Sequence, residues 1–368
     1  MEDNRNGEDI YGDKHKEANE PIFSGIPSFL KLPTATTEEE LEESDADIGV
    51  LGAPLDTATT IRPGTRYGPR AVRAASTVPS PPYQHFNLET GVDPFDSFSV
   101  VDTGDAKVSP GDTRQSQLNI EESVANISEK GMMPMVIGGD HSITYPDMKG
   151  WAEANDYDNV GLIHFDCHAD TGEDGLTGFE YDHGAWVKRA YDDEIFQGEN
   201  YTLIGPRGYW PGPDVYEDMR EADMKWYTSF DVMDGDLSAI AQDAVDRATD
   251  GTDAVWLSFD VDVMDPAYCP GTGEPEPGGL MPRETFAMIR QIVKQMDIEN
   301  FGFDVVEVAP QYDASDTNSY NGGITSGFAN RLCIEVMEGL ALSHRGLEEG
   351  SPIRPKEDLK KTPAPSDD

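Results

Sequence analysis

Asn159-Val-Gly-Leu-Ile-His-Phe-Asp-Cys-His-Ala-Asp170 is an apolar run of strand length that opens directly onto three residues able to ligate a metal, Asp166, His168 and Asp170. In an extended chain alternate side chains share a face at intervals of about 6.7 Å, so Asp166 and His168 can converge on one point. Along a continuing strand Asp170 would lie about 13 Å from Asp166, too far for a shared ion cluster, so the chain is expected to curl after His168. Ligands just beyond a strand belong to the carboxyl edge of an open α/β sheet.

Outward from that stretch, strand and helix alternate. Ile48 to Leu51 reads as a short buried strand, and Pro69 after Gly68 opens a helix to Ser76. Phe98 to Val101 reads as a strand, and Thr113 to Lys130 as a helix with Leu118, Val124 and Ile127 near one face and Gly131 as its stop. Further strands are expected at Met135 to Ile137, Tyr201 to Ile204, Trp226 to Thr228, Ala254 to Phe259 and Phe301 to Val306. Helices are expected up to about Ala154, then at Gly184 to Asp192, Leu237 to Ala248, Pro282 to Met296 and Gly323 to Leu340. Repeated β-then-α order predicts a three-layer α-β-α fold around a mostly parallel central sheet.

No linker or internal repeat divides this pattern, so residues 48–345 are expected to form a single domain. Residues 1–47 read as a partly disordered acidic extension, and 346–368 as a disordered tail rich in Pro and charge. Within the extension, Pro21 to Pro33 is apolar enough to pack on this subunit or a neighbour, and Glu38 to Asp47 reads as a solvated helix or loop.

The charge balance is extreme: 71 acidic residues against 27 basic ones give a formal net charge of -44. Nucleic acid and anionic membrane both need clustered Lys and Arg, so neither is an expected partner. A hydrophobic content of 37% and recurrent apolar runs argue against an acidic disordered chain, leaving a globular protein whose acidic surface suits high salt. Cys167, Cys269 and Cys333 form no Cys-x-x-Cys pair, which disfavours a disulfide framework or a thiolate zinc site. Met1 to Lys16 lacks the basic and apolar regions of a secretory signal, and no run reaches the length of a membrane span. A soluble protein of the reducing cytoplasm is expected.

Three segments end a predicted strand with ligand-type residues: Gly138-Gly139-Asp140-His141-Ser142, Asp166-Cys167-His168-Ala169-Asp170, and Ser258-Phe259-Asp260-Val261-Asp262-Val263-Met264-Asp265-Pro266. A parallel sheet brings all three to one edge, where His141, Asp166, His168, Asp170, Asp260 and Asp262 can meet. Each segment alone is a weak signal: Asp-x-His is commonly a loop feature, and Asp140 can simply cap the next helix. Their joint occurrence carries the reading. Four carboxylates in one site resist joint ionisation, and two divalent cations would cancel their charge. Imidazole with carboxylate suits Mn, Fe, Co or Ni better than Ca or Mg, and the lack of thiolates weighs against structural Zn.

These blocks, in this order, resemble the ureohydrolases of the arginase and agmatinase family, whose motifs take the forms Gly-Gly-Asp-His-Ser, Asp-x-His-x-Asp and Ser-Phe-Asp-x-Asp-x-x-Asp-Pro. The resemblance runs over roughly residues 48 to 340 and includes Gly64-Thr65-Arg66-Tyr67-Gly68-Pro69-Arg70, Asp102-Thr103-Gly104-Asp105, Pro270-Gly271-Thr272-Gly273-Glu274-Pro275 and Glu307-Val308-Ala309-Pro310. It implies an arginase-like fold and an enzyme that splits a guanidino group to release urea and an amine. By the family pattern, His141, Asp166, Asp170 and Asp260 would hold one manganese ion and Asp166, His168, Asp260 and Asp262 the other, with Asp166 and Asp260 bridging. Nickel, cobalt or iron are alternatives to manganese. Water between two such ions gives up its proton near neutral pH, and the resemblance implies its attack on the guanidinium carbon with Asp170 holding it in line.

His183, in Asp182-His183-Gly184, matches the family's proton-relaying His, a task that suits an imidazole near pH 7. Glu307 matches the Glu that pairs with the substrate guanidinium in a planar, two-point contact. His164, inside the apolar run, reads as a core or supporting His, and Cys167 by alternation faces away from Asp166 and His168. His15, His85 and His344 have no evident partners. The family also implies a homo-oligomer, a trimer or a hexamer.

Arginases place an Asn two residues after the last Asp ligand, whereas Asp170 is followed by Thr171-Gly172, which argues against arginine as substrate. The other blocks resemble agmatinase and guanidinobutyrase members more. Agmatine is cationic at its far end and guanidinobutyrate anionic. The loops at 172–181 and 205–213 carry Glu173, Asp174, Glu180 and Arg207, an acid excess that favours agmatine. Guanidinobutyrate, guanidine or another alkylguanidine are the alternatives. A one-zinc deacetylase-like hydrolase would not need the Gly-Gly-Asp-His ligand, and a non-catalytic homologue would need neither His183 nor Glu307.

Overall fold

Each strand is followed by a helix in the computed structural model of the chain, which describes residues 25–76, 86–173, 178–313 and 323–346. In chain order the elements are α1 (Glu38–Glu42), β1 (Ile48–Gly52), α2 (Gly68–Ala75), β2 (Val100–Asp105), α3 (Thr113–Ser128), β3 (Met133–Ile137) and α4 (Thr144–Asn155). Then come β4 (Val160–Phe165), α5 (Trp186–Asp192), β5 (Tyr201–Ile204), α6 (Pro213–Glu221), β6 (Lys225–Tyr227), α7 (Ser229–Asp234) and α8 (Leu237–Thr249). The last elements are β7 (Ala254–Asp260), α9 (Pro282–Val293), β8 (Phe301–Val306) and α10 (Ile324–His344). The strands form one sheet in the order β2-β1-β3-β8-β7-β4-β5-β6. Every pairing is parallel, so the sheet is more uniform than expected.

Because side chains alternate along a strand, the sheet buries two separate cores. Val255, Leu257 and Phe259 of β7 pack with Ile240 of α8, Met288 and Ile292 of α9, and Leu332 of α10. Trp256, between them, faces the other way and joins Ile120 of α3, Trp151 of α4 and Trp186 of α5. The outcome is the predicted three-layer arrangement. Gly161 lets α8 approach β4, since a Cβ there would come within 1.8 Å of the Ala248 carbonyl oxygen.

Two helices were not expected from sequence. α6 begins at Pro213, and α7 is set by Thr228 and Asp231, which cap each other's backbone although Phe230 and Met233 stay exposed. On α3 the buried stripe is Ile120, Val124 and Ile127; Leu118, about 200° round the helix from Ile120, is exposed instead of joining it. β2 starts at Val100 and runs to Asp105, beyond the expected Val101.

Of the N-terminal extension, residues 25–47 are described. Phe29 and Leu30 are fully buried, with their N–H groups donating to Asp102 Oδ2 at 2.7 Å and Ser76 Oγ at 2.9 Å. The apolar segment thus packs on its own chain, beside the edge strand. α1 is a solvated helix, closed by the reciprocal cap of Thr37 and Glu40. Residues 1–24 and the tail from 347, where disorder was expected, lie outside the described residues. Among the described residues no helix is long and apolar enough to cross a membrane.

The chain jumps from β3 to β4, and β8 and β7 later fill the space between them. Such a switch in strand order opens a crevice at the carboxyl edge, and the three ligand-bearing segments end there.

Candidate metal centre

Gly139 sits against the backbone of Leu55, where a Cβ would meet the carbonyl oxygen at 1.8 Å, so the turn after β3 can pass close enough to present His141. Asp140 fixes that turn, accepting from Ser142 N–H at 3.2 Å and Ala58 N–H at 2.9 Å, the capping role expected of it. His141 Nδ1 then lies 3.0 Å from Asp166 Oδ2, 3.2 Å from Asp170 Oδ2 and 3.2 Å from Asp260 Oδ2. Among the described residues that buried nitrogen has no hydrogen-bond partner. Its other nitrogen, Nε2, is 2.9 Å from Ser258 Oγ, whose hydroxyl donates to Asp304 Oδ1 at 2.7 Å. Because Ser258 gives its proton to Asp304, Nε2 is the donor in that pair, and Nδ1 is the nitrogen that faces the carboxylates.

β4 ends at Phe165, so the bend begins at Asp166 rather than after His168. Asp170 completes it in the left-handed region, at φ 50. Beyond the strand the alternation of faces lapses, which corrects the expectation for Cys167. It is buried, but its Sγ lies 3.4 Å from His168 Nδ1, on the ligand side. His168 Nδ1 is 3.1 Å from Asp262 Oδ2 and 3.5 Å from Asp166 Oδ1. Asp166 therefore offers Oδ2 to the His141 group and Oδ1 to the His168 group. Asp260 turns Oδ2 to His141 while its Oδ1 accepts from Asp262 N–H at 2.7 Å.

Potential ligand atoms of His141, His164, Asp166 and Asp170 lie within 4.8 Å of one another, as do those of Asp166, Cys167, His168 and Asp262. His164 joins the first set as a hydrogen-bonding partner. Burial lowers its pKa to about 4, so it is neutral, accepting from Tyr201 at Nδ1 and donating from Nε2 to Asp166 Oδ2, each at 2.9 Å.

The cluster is electrostatically unsettled by itself. Burial, then Asp262 and Asp166, push Asp260 well above the usual carboxylate range; burial and Asp166 raise Asp170 to about 7. Burial opposes a charge on His141, yet the three facing carboxylates raise its pKa well above the ordinary value. An orphaned imidazole nitrogen among buried carboxylate oxygens fits divalent cations of the kind that take mixed nitrogen and oxygen ligands.

His183 and Glu307 meet beside this cluster. His183 Nδ1 is 2.9 Å from Glu307 Oε1, which also accepts from the His141 N–H at 3.0 Å. Glu307 Oε2 is buried with no hydrogen-bond partner among the described residues, and the residue's φ is 63. A narrow cleft reaches from His168, Asp170 and Asp262 to His183 and Glu307. Its wall also includes Thr60, Trp210 and Glu274, which the sequence did not single out as site residues. Glu274 stood in the Gly-Thr-Gly-Glu-Pro block, but no strand end pointed it inward.

The distal residues named from sequence are not brought together. The guanidinium of Arg207 donates to backbone carbonyls of Asp262, Val263 and Glu276 and does not line the cleft. Glu173 and Glu180 are exposed, and Asp174 lies outside the described residues, as do His15 and His85. His344 lies edge-on to Phe98, with ring centroids 5.4 Å apart.

Residues 46–338 match the family model described as the arginase family. A mitochondrial agmatinase of Gallus gallus is 38% identical over 305 residues, covering 81% of this chain and 83% of that protein. A guanidinobutyrase of Pseudomonas aeruginosa is 34% identical over 310 residues, covering 82% and 90%. Among solved structures, proclavaminate amidino hydrolase from Streptomyces clavuligerus superposes with a TM-score of 0.77 at 30% identity, covering 88% of this chain and all of that one.

Proposed function

The chain belongs to the arginase family of guanidino hydrolases, and from that premise we propose that it cleaves agmatine to putrescine and urea. The observation that carries this reading is the unpartnered Oε2 of Glu307, buried at the wall of the cleft beside the carboxylate cluster. A guanidinium offers parallel N–H groups to such a carboxylate, which would hold its carbon against the cluster. Agmatine is favoured over guanidinobutyrate because the wall carries Glu274 and, among the described residues, no Lys or Arg.

His141, Asp166, Asp170 and Asp260 would hold one manganese ion, and Asp166, His168, Asp260 and Asp262 the other; nickel, cobalt and iron suit the same donors. When bound, such a pair supplies Lewis acidity and lowers the proton affinity of water. Asp170, held by the Trp186 indole N–H at 3.0 Å, aligns the attacking water through a hydrogen bond. Glu307 fixes the guanidinium while the carbon becomes tetrahedral. His183 then passes a proton to the leaving amine nitrogen as the C–N bond breaks, a step that suits an imidazole gripped at both ring nitrogens.

Urea release from agmatine, 4-guanidinobutyrate, guanidine and arginine, with added Mn(II) and molar salt, tests the proposal. Agmatine should give the highest kcat/KM. Urea from none of the four would refute the ureohydrolase reading, and a preference for another member would refute agmatine. One ion per chain would favour a deacetylase-like hydrolase.

A further inference from the structure

We infer that Glu274 is a specificity-determining residue: a second carboxylate, set across His183 from Glu307, that favours substrates carrying an additional positive charge and repels guanidino compounds with a carboxylate tail. The inference rests on the urea-releasing reading of the same site.

The placement is specific. Glu274 Oε1 accepts from Thr60 Oγ1 at 2.9 Å and lies 3.4 Å from His183 Nε2, while Oε2 is 4.0 Å from His168 Nε2. The imidazole thus has a carboxylate on each side, Glu307 at Nδ1 and Glu274 at Nε2. The loop that carries Glu274 is pinned from behind: the guanidinium of Arg62 donates to the carbonyls of Gly273 at 2.8 Å and Thr272 at 2.7 Å. The loop passes beside the substrate anchor: a Cβ at Gly273 would lie 3.1 Å from the Arg62 carbonyl oxygen and 3.5 Å, an ordinary contact, from Glu307 Oε2.

Charge then sets the preference. Divalent cations would neutralise Asp166, Asp170, Asp260 and Asp262, which leaves Glu274 and Glu307 as the remaining acids of the cleft among the described residues. A guanidinium answers Glu307 and a protonated His183 answers Glu274, so the cleft is balanced only while His183 keeps its proton. Beside Glu274 a second positive charge on the substrate is attracted, whereas a distal carboxylate is repelled inside a partly desolvated cleft, where Coulomb interactions are strong. Arg62 is not on the cleft wall: its Nε and Nη2 donate to the loop carbonyls behind Glu274, and its guanidinium carbon lies 4.3 Å from the Tyr312 ring centroid. The sequences at 174–177 and 314–322 contribute no Lys or Arg.

The test uses the full chain loaded with Mn(II), the variants Glu274→Gln and Glu274→Thr, and two readouts. The first is the ratio of kcat/KM for agmatine to that for 4-guanidinobutyrate; the second is the calorimetric Kd of putrescine and of 4-aminobutyrate. Wild type should prefer agmatine. Both variants should lower the ratio by about tenfold or more, chiefly through KM, and weaken putrescine about fivefold or more without weakening 4-aminobutyrate. Metal content should not change. A ratio and a putrescine Kd within about twofold of wild type, or a wild type that prefers 4-guanidinobutyrate, would overturn the inference. No urea from any guanidino compound would instead overturn the underlying reading.

Discussion

Glu307 holds His183 Nδ1 at 2.9 Å with one carboxylate oxygen, and its other oxygen has no hydrogen-bond partner among the described residues. One side chain can therefore orient the proposed proton carrier and anchor the substrate. Its backbone is held at φ 63, a conformation that costs a non-glycine residue energy and that recurs at functional sites.

Glu307→Gln keeps the shape of that side chain and removes its charge. Agmatine turnover should fall about 10²- to 10³-fold with metal content intact, as read by urea release and elemental analysis. A variant as fast as wild type would remove Glu307 from the site.

Burial disfavours a charge on His183, but Glu274 and Glu307 prevail and hold its pKa well above the ordinary value. A raised folded-state pKa gives stability that is complete below the unfolded value, about 6.5, and is lost as pH rises through the folded value. His183→Asn should therefore lower the melting temperature of the metal-free protein more at about pH 6 than at the alkaline limit of the fold. Equal losses in calorimetric melts at both pH values would count against this charge.

His141→Ala removes the nitrogen that faces three carboxylates. Bound metal and urea release should fall together. In wild type, chelation should depress the melting temperature and reloading restore it, since free ion at 100 Kd adds about 2.7 kcal/mol to the folded state. Retention of both metal and activity by the variant would refute the ligand assignment.

At a net charge of -44, self-repulsion should be relieved by salt. The screening length falls from about 10 Å at 0.1 M to about 3 Å at 1 M. Melting temperature should climb across that range in potassium chloride, and a flat profile would argue against a surface adapted to high salt.

The sheet and its ligand-bearing edge were legible because the apolar runs of β4 and β7 stop abruptly at Asp166 and Asp260, and parallel order brings such stops together. The reach of an extended strand demanded a bend near Asp170, but where it starts depends on where β5 ceases to pair, at Ile204, which β4's own residues do not encode. Glu274 was opaque for a related reason. Its place beside His183 depends on a loop whose carbonyls are gripped by Arg62, 210 residues from Thr272 along the chain. α7 rests on a two-residue cap and buries little, so it left no apolar period to read.

The strand order also sets when the centre can exist during synthesis. His141 follows β3 and Asp166 follows β4, yet neither strand touches the other; β8 and β7 lie between them. A nascent chain that has not yet supplied Ala254–Val306 has two half-sheets with exposed, sticky edges facing a gap, and its early ligands stand on separate pieces. Closing that gap requires contacts far apart in sequence, which makes it a slow step. The full set of candidate ligands can therefore come together only in a chain completed through β7, whose end carries Asp260 and, two residues on, Asp262.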